Sequence, residues 1–153
     1  MDLVLWRHAE AQEWGEGCDD MARPLTSRGE KQAARMAAWL ERQLPEGARI
    51  FASPAKRADQ TAIALGRKYK TKTEISPLAG VDDLLTLVDW PDAKATTLVI
   101  GHQPTLGLTV SKLLGVPEET LSVRKGGVWW LRHRVRDGVH QTLLLSVQSP
   151  DLM

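Results

Sequence analysis

Apolar positions along the chain keep two different rhythms. Leu3-Val4-Leu5-Trp6 is a short unbroken apolar run, the pattern of a strand covered on both faces. A polar, glycine-containing stretch over residues 10–24 predicts a loop. Behind it Ala33, Met36, Ala37, Leu40 and Leu44 keep helical spacing. Ser27-Arg28-Gly29-Glu30 reads as the capping box of that helix, with Ser27 at the N-cap and Glu30 reaching back, and Pro45 and Gly47 mark its exit. A strand is predicted over residues 49–52. Ser53-Pro54 then predicts a second helix, with serine as cap, proline at the first helical position, and an inner stripe of Ala58, Ala62, Leu65 and Tyr69. Residues 71–94 carry a weaker pattern, a short strand and a helix around residues 81–88. Residues 97–100 read as another apolar strand, which Gly101-His102-Gln103-Pro104 turns into a helix carrying Leu106, Val110 and Leu113. The tail reads as a hairpin, residues 128–135 and 139–147 around a turn at Asp137-Gly138.

Strands alternating with helices predict an α/β fold of three layers, a mostly parallel central sheet with helices on both faces and an antiparallel hairpin at one edge. With 153 residues and neither repeat nor linker, residues 1–153 are expected to form one domain. Twenty basic against 19 acidic side chains leave a net charge of +1, so nucleic acid and membrane are not expected partners, since both need a clustered positive excess. Any anion site must be local. The one cysteine, Cys18, permits no intrachain disulfide, and no Cys-x-x-Cys pair is present for zinc. The apolar run before Arg7 is too short for a signal peptide and no stretch reaches membrane-spanning length, so a cytoplasmic protein is expected.

In open sheets of this kind ligands bind beyond the carboxyl ends of the strands. Three polar clusters stand at such ends: Arg7-His8, Ser53-Pro54-Ala55-Lys56-Arg57 and Gly101-His102. Two arginines and two histidines in one crevice offer planar N–H donors suited to a tetrahedral oxyanion. Arg57 falls in the first turn of its helix, and another helix starts just after His102, so both helix dipoles favour an anion there. Phosphoryl transfer needs an in-line nucleophile and charge stabilisation on the equatorial oxygens. A neutral imidazole is a competent nucleophile near pH 7, and neighbouring arginines are expected to hold its pKa down. One histidine would attack while the other binds the transferred oxygens, and water would then hydrolyse the phosphohistidine.

These segments resemble a known family. Arg7-His8-Ala9-Glu10 is similar to the Arg-His-Gly signature of the histidine phosphatase superfamily, whose fold is phosphoglycerate mutase-like. The stretch Ser53-Pro54-Ala55-Lys56-Arg57-Ala58-Asp59-Gln60-Thr61-Ala62 resembles its second motif, and Ile100-Gly101-His102-Gln103-Pro104 its third, in the right order. The short length and Arg23-Pro24-Leu25-Thr26 resemble the SixA-type phosphohistidine phosphatases, which carry no cap domain. The resemblance implies His8 as nucleophile, with Arg7, Arg57 and His102 as phosphate-binding catalytic residues and Arg23 as a further substrate-binding residue. Ala9 departs from the pattern, standing where the family has glycine and giving up some backbone freedom.

Relatives acting on alcohol esters carry an acid that protonates the leaving oxygen. Here Glu74, Asp82 and Asp83 lie between the second and third motifs in no matching context. An alkoxide gains much from a general acid, whereas imidazole leaving from phosphohistidine is far less basic. The expected substrate is therefore a phosphohistidine-bearing protein, with no cofactor or metal required, since the arginines supply the positive charge. The alternatives are a small-molecule phosphomonoesterase of the same superfamily and an inactive phosphoprotein-binding relative. A nucleotide switch lacks its Gly-x-x-x-x-Gly-Lys-Ser/Thr loop. Ser53 reads better as a cap than as a nucleophile, and Thr61 as a residue backing Arg57. His133 and His140, facing each other across the final hairpin, read as ordinary strand histidines rather than a metal site. Cys18 reads as a free loop thiol, the six tryptophans as packing residues, and Trp14 as a residue able to contact a partner.

Overall fold

The computed structural model describes residues 1–13, 15, 19–117 and 121–153; Trp14 and Cys18 lie outside them. Six strands, β1 (Asp2–Arg7), β2 (Arg49–Ala52), β3 (Lys70–Thr71), β4 (Thr97–Gly101), β5 (Val128–Arg136) and β6 (Val139–Gln148), alternate at first with helices. These are α1 (Ser27–Gln43), α2 (Lys56–Leu65), α3 (Val81–Leu87) and α4 (Thr105–Leu114). The sheet runs β3-β2-β4-β1-β5-β6, parallel from β3 to β1 and antiparallel through the final hairpin. This is the small phosphoglycerate mutase-like fold, a mixed, mostly parallel sheet with helices on both faces.

The apolar runs explain the layering. Side chains alternate along a strand, so Val4 and Trp6 join Met36, Leu40, Ala58 and Ala62 under α1 and α2. Leu3 and Leu5 join Leu84, Leu106 and Val110 under α3 and α4. Each of these large side chains contributes about 1.5–3 kcal/mol through burial, and a slip of one residue would turn the whole set to the wrong face. The register Leu5↔Val99, Trp6↔Ile100, Arg7↔Gly101 is fixed accordingly. It leaves the ends of β1 and β4 level. Among the described residues no helix is long and apolar enough to cross a membrane.

Two helix starts differ from expectation. Thr26, not Ser27, caps α1, its Oγ1 accepting the Gly29 N–H at 3.0 Å. The reason is tertiary: the Thr26 N–H donates to the Glu10 carbonyl at 3.0 Å, which pins the cap one residue early. Glu30 then donates its backbone N–H to the Thr26 carbonyl, and no box closes around Ser27. Gly29 must lack a side chain, because a Cβ there would stand 2.0 Å from the Glu10 oxygen. Likewise α2 starts at Lys56 behind Ala55, so Ser53 is not its cap and Pro54 precedes it. Tyr69 lies beyond the end of α2, half-buried against the same core. The hairpin turns where expected, with Asp137 and Gly138 at φ 51° and 76°.

Candidate active site

Level strand ends bring the two distant histidines together. The His8 N–H donates to the Gly101 carbonyl at 3.1 Å, and the imidazoles of His8 and His102 stand 5.1 Å apart, tilted by 53°. Both rings are buried, 7% and 4% exposed. Ser53 follows β2 at the same level, its N–H on the Ile100 carbonyl.

Hydrogen bonds assign the nitrogens. His8 Nδ1 lies 2.7 Å from the Ala9 carbonyl oxygen, which can only accept, so Nδ1 carries the proton and Nε2 keeps its lone pair. His102 Nε2 lies 2.7 Å from Ser53 Oγ. That oxygen already accepts the Ala55 N–H at 3.2 Å, so its own hydrogen is available for Nε2. With that hydrogen turned to Nε2, His102 carries its proton on Nδ1, a buried nitrogen with no hydrogen-bond partner among the described residues. Ser53 orients an imidazole instead of capping a helix.

Asp20, which the sequence reading missed, organises the arginines. It sits in a short turn, Asp20–Ala22, within the long polar loop. Arg57 donates to its carbonyl at 2.8 Å and to Oδ2 at 3.3 Å; Arg23 donates to Oδ1 at 2.9 Å. Burial works to raise the Asp20 carboxyl, but these guanidinium groups outweigh it and hold it below its usual range. Arg7 donates to the Val123 carbonyl at 3.0 Å. The Nε groups of Arg7 and Arg57 join His102 Nδ1 as buried donors without a partner among the described residues. A buried polar group left unpaired costs about 1–3 kcal/mol, so these three N–H donors, two of them on guanidinium groups, suit an acceptor-rich guest. A tetrahedral oxyanion offers such acceptors. Nothing in the sequence marked Asp20 apart from other loop acids.

The pKa of each imidazole is pushed down to about 3. For His8 burial acts first, opposed by the Ala9 hydrogen bond, and His102, Arg57 and Arg7 add to the depression. For His102 burial is again the main cause, with Arg57 next and Asp20 in opposition. The sequence reading credited the arginines, yet exclusion of water dominates. Both rings are neutral at pH 7.

Thr61 does back Arg57: its hydroxyl donates to the Arg57 carbonyl and accepts the Ala9 N–H, tying the loop after His8 to α2. Ala9 is fully buried against Leu25 and Ala33, and its φ lies outside the left-handed region, so glycine is not needed there. Asp82 pairs with Lys112 at 2.8 Å, Asp83 accepts the Gly80 N–H, and Glu74 accepts from Thr73. None of those bonds reaches the notch. Among the described residues no group of three or more His, Cys, Asp or Glu is placed to hold a metal ion.

Residues 3–84 match the histidine phosphatase superfamily, branch 1. The chain belongs to this family. It is 30% identical over 128 residues to the phosphohistidine phosphatase SixA of Escherichia coli (strain K12), covering 78% of this chain and 77% of that one. Its backbone matches the protein histidine phosphatase SixA complexed with tungstate at a TM-score of 0.76, with 27% identity and 99% of each chain covered. A structure named for the SixA of Nakamurella multipartitia matches at 0.79, with 28% identity over 97% of this chain and 95% of that one.

Proposed function

We propose that this protein hydrolyses phosphohistidine in proteins, through a phosphohistidine formed on its own His8. The observation that carries the reading is the pairing of the His8 Nδ1 proton with the Ala9 carbonyl, which reserves the Nε2 lone pair for phosphorus. The unpartnered donors of Arg7, Arg57 and His102 take the equatorial oxygens, and Arg23 holds Asp20 and through it Arg57. Nε2 attacks phosphorus as the P–N bond to the substrate imidazole breaks, and that imidazole leaves neutral after taking a proton from solvent. Water then attacks the His8 phosphoryl group, releasing orthophosphate and restoring the imidazole.

Two features favour phosphohistidine over an alcohol ester. Asp20, the carboxyl group bonded to Arg57, is held ionised by two guanidiniums and cannot protonate an alkoxide at neutral pH. The similarity to SixA proteins, one of them bound to the tetrahedral oxyanion tungstate, points the same way. The test is a substrate panel with acid quench. Turnover of a phosphohistidine protein well above that of phosphoserine peptides and sugar phosphates is expected, with an acid-labile phosphate on the protein that is absent in His8→Ala. Preference for the esters would assign a phosphomonoesterase, and binding without any phosphoenzyme would assign a phosphoprotein binder.

A further inference from the structure

A basic groove leads away from the notch. Arg7 stands at its inner end, where a cleft of about 300 Å³ opens between the first half of α1 and residues 122–125. It runs into a second cleft of about 470 Å³, with Arg28, Gln32, Arg124 and Asp151 lining both. Six cations, Arg7, Arg28, Lys31, Arg35, Arg124 and Lys125, face two carboxylates, Glu10 and Asp151. In a chain of net charge +1 this concentration is local. Asp151 is already spent on Arg124 at 3.0 Å and Arg28 at 3.8 Å. Lys31, Arg35 and Lys125 are exposed, and none has an acidic partner among the described residues. Arg28, Lys31 and Arg35 follow one face of α1 over about 10 Å of helix axis, the reach of roughly three extended residues.

We infer that this groove docks an acidic stretch of the phosphorylated protein, so that carboxylates near the phosphoryl group are recognised together with it. The inference rests on the phosphoprotein reading above. Charge complementarity carries it: cations without an acidic partner among the described residues line a cleft continuous with one that Arg7, an arginine of the reacting centre, also lines. The chain has a second basic cleft, lined by Lys68, Lys70 and Lys72 beside β2 and β3, but it shares no residue with the notch. That cleft supplies the control.

The experiment compares wild type with K31E/R35E and with K70E. The substrates are a phosphohistidine protein with glutamates flanking the histidine, the same protein with those residues changed to glutamine, and a chromogenic aryl phosphate. K31E/R35E is expected to raise KM for the acidic substrate about tenfold with kcat unchanged, to leave the glutamine version and the aryl phosphate within twofold, and to keep the wild-type melting temperature. K70E should change none of these. Equal rates for wild type and K31E/R35E on the acidic substrate, or an equal loss in K70E, would overturn the docking surface. Should neither phosphoprotein be turned over while the aryl phosphate is, the substrate reading fails and the groove is judged by binding. Fluorescence anisotropy should then show a glutamate-rich peptide binding wild type but not K31E/R35E. Equal binding to both, or a K31E/R35E defect confined to inorganic pyrophosphate, would sink the inference.

Discussion

Two histidine pairs in this protein have the same ring separation, 5.1 Å, and opposite prospects. His8 and His102 meet at the carboxyl ends of β1 and β4, buried among Arg7, Arg23 and Arg57. His133 and His140 meet on the exposed hairpin as diagonal neighbours of β5 and β6, with Trp90 edge-on to His133. On the hairpin the rings bond each other, His133 Nε2 to His140 Nδ1 at 2.9 Å, so each uses a nitrogen on the other. In the notch the backbone of Ala9 and the hydroxyl of Ser53 occupy the outer nitrogens, and the inner ones stay open to a third body. Proximity of imidazoles is therefore not the functional property. What decides is the partner on the far nitrogen and the exclusion of water.

The largest expected contrast is in turnover. His8→Gln should lower kcat by about 10⁴-fold or more, as removal of a nucleophile does, whereas His133→Gln and His140→Gln should stay within twofold. Steady-state rates on one phosphohistidine protein check both halves; a hairpin variant losing activity on the same scale would erase the distinction.

A smaller effect sharpens the role of the far partner. Ser53→Ala removes the hydrogen that holds His102 Nε2 as an acceptor, which should cost about 10²-fold in kcat with little change in KM. Nitrogen chemical shifts of His102 read the tautomer directly, and an unchanged Nδ1–H signal in the variant would show that Ser53 only fills space.

The subtlest contrast is in pH. His8 and His102, neutral down to about 3, should show no titration between pH 7 and 5; His133, lowered by partial burial and then by His140, is the hairpin ring to compare with them. Between about pH 6.5 and 3 the unfolded chain binds protons at positions 8 and 102 that the native protein refuses, so stability falls as pH drops through that window. The urea midpoint should decline from pH 7 to pH 5, and less steeply in His102→Gln.

Much of this arrangement was legible in advance for a physical reason. Leu3 to Trp6 and Leu98 to Ile100 are short apolar runs bounded by turn signals, the pattern of interior strands, and in a parallel pair their polar successors surface at one sheet end. That reasoning set Arg7, His8 and His102 at the strand ends, with Arg57 just beyond β2, and the structure brings these four side chains near one another; Arg23 was singled out by its place in a motif. Asp20 was not, because a loop carboxylate carries no periodicity and its importance lies in two guanidiniums 3 and 37 residues away. Ser53 was misread because Ser-Pro before a helix is a common capping signal, and only the approach of His102 across the sheet redirects its hydroxyl. Thr26 displaced Ser27 for a similar reason, the pull of the Glu10 carbonyl. At Ala9 the backbone torsion is one that needs no glycine, a property the sequence does not display.

By itself the sequence determined the α/β layering, the strand ends and the residue types that gather there, since hydrophobic burial acts on local patterns that can be read in one dimension. Only the tertiary structure decided which nitrogen of each imidazole stays open, how far water is excluded, and how Asp20 ties two arginines together. Those properties depend on hydrogen-bond directions and local dielectric, which exist only after distant segments have met.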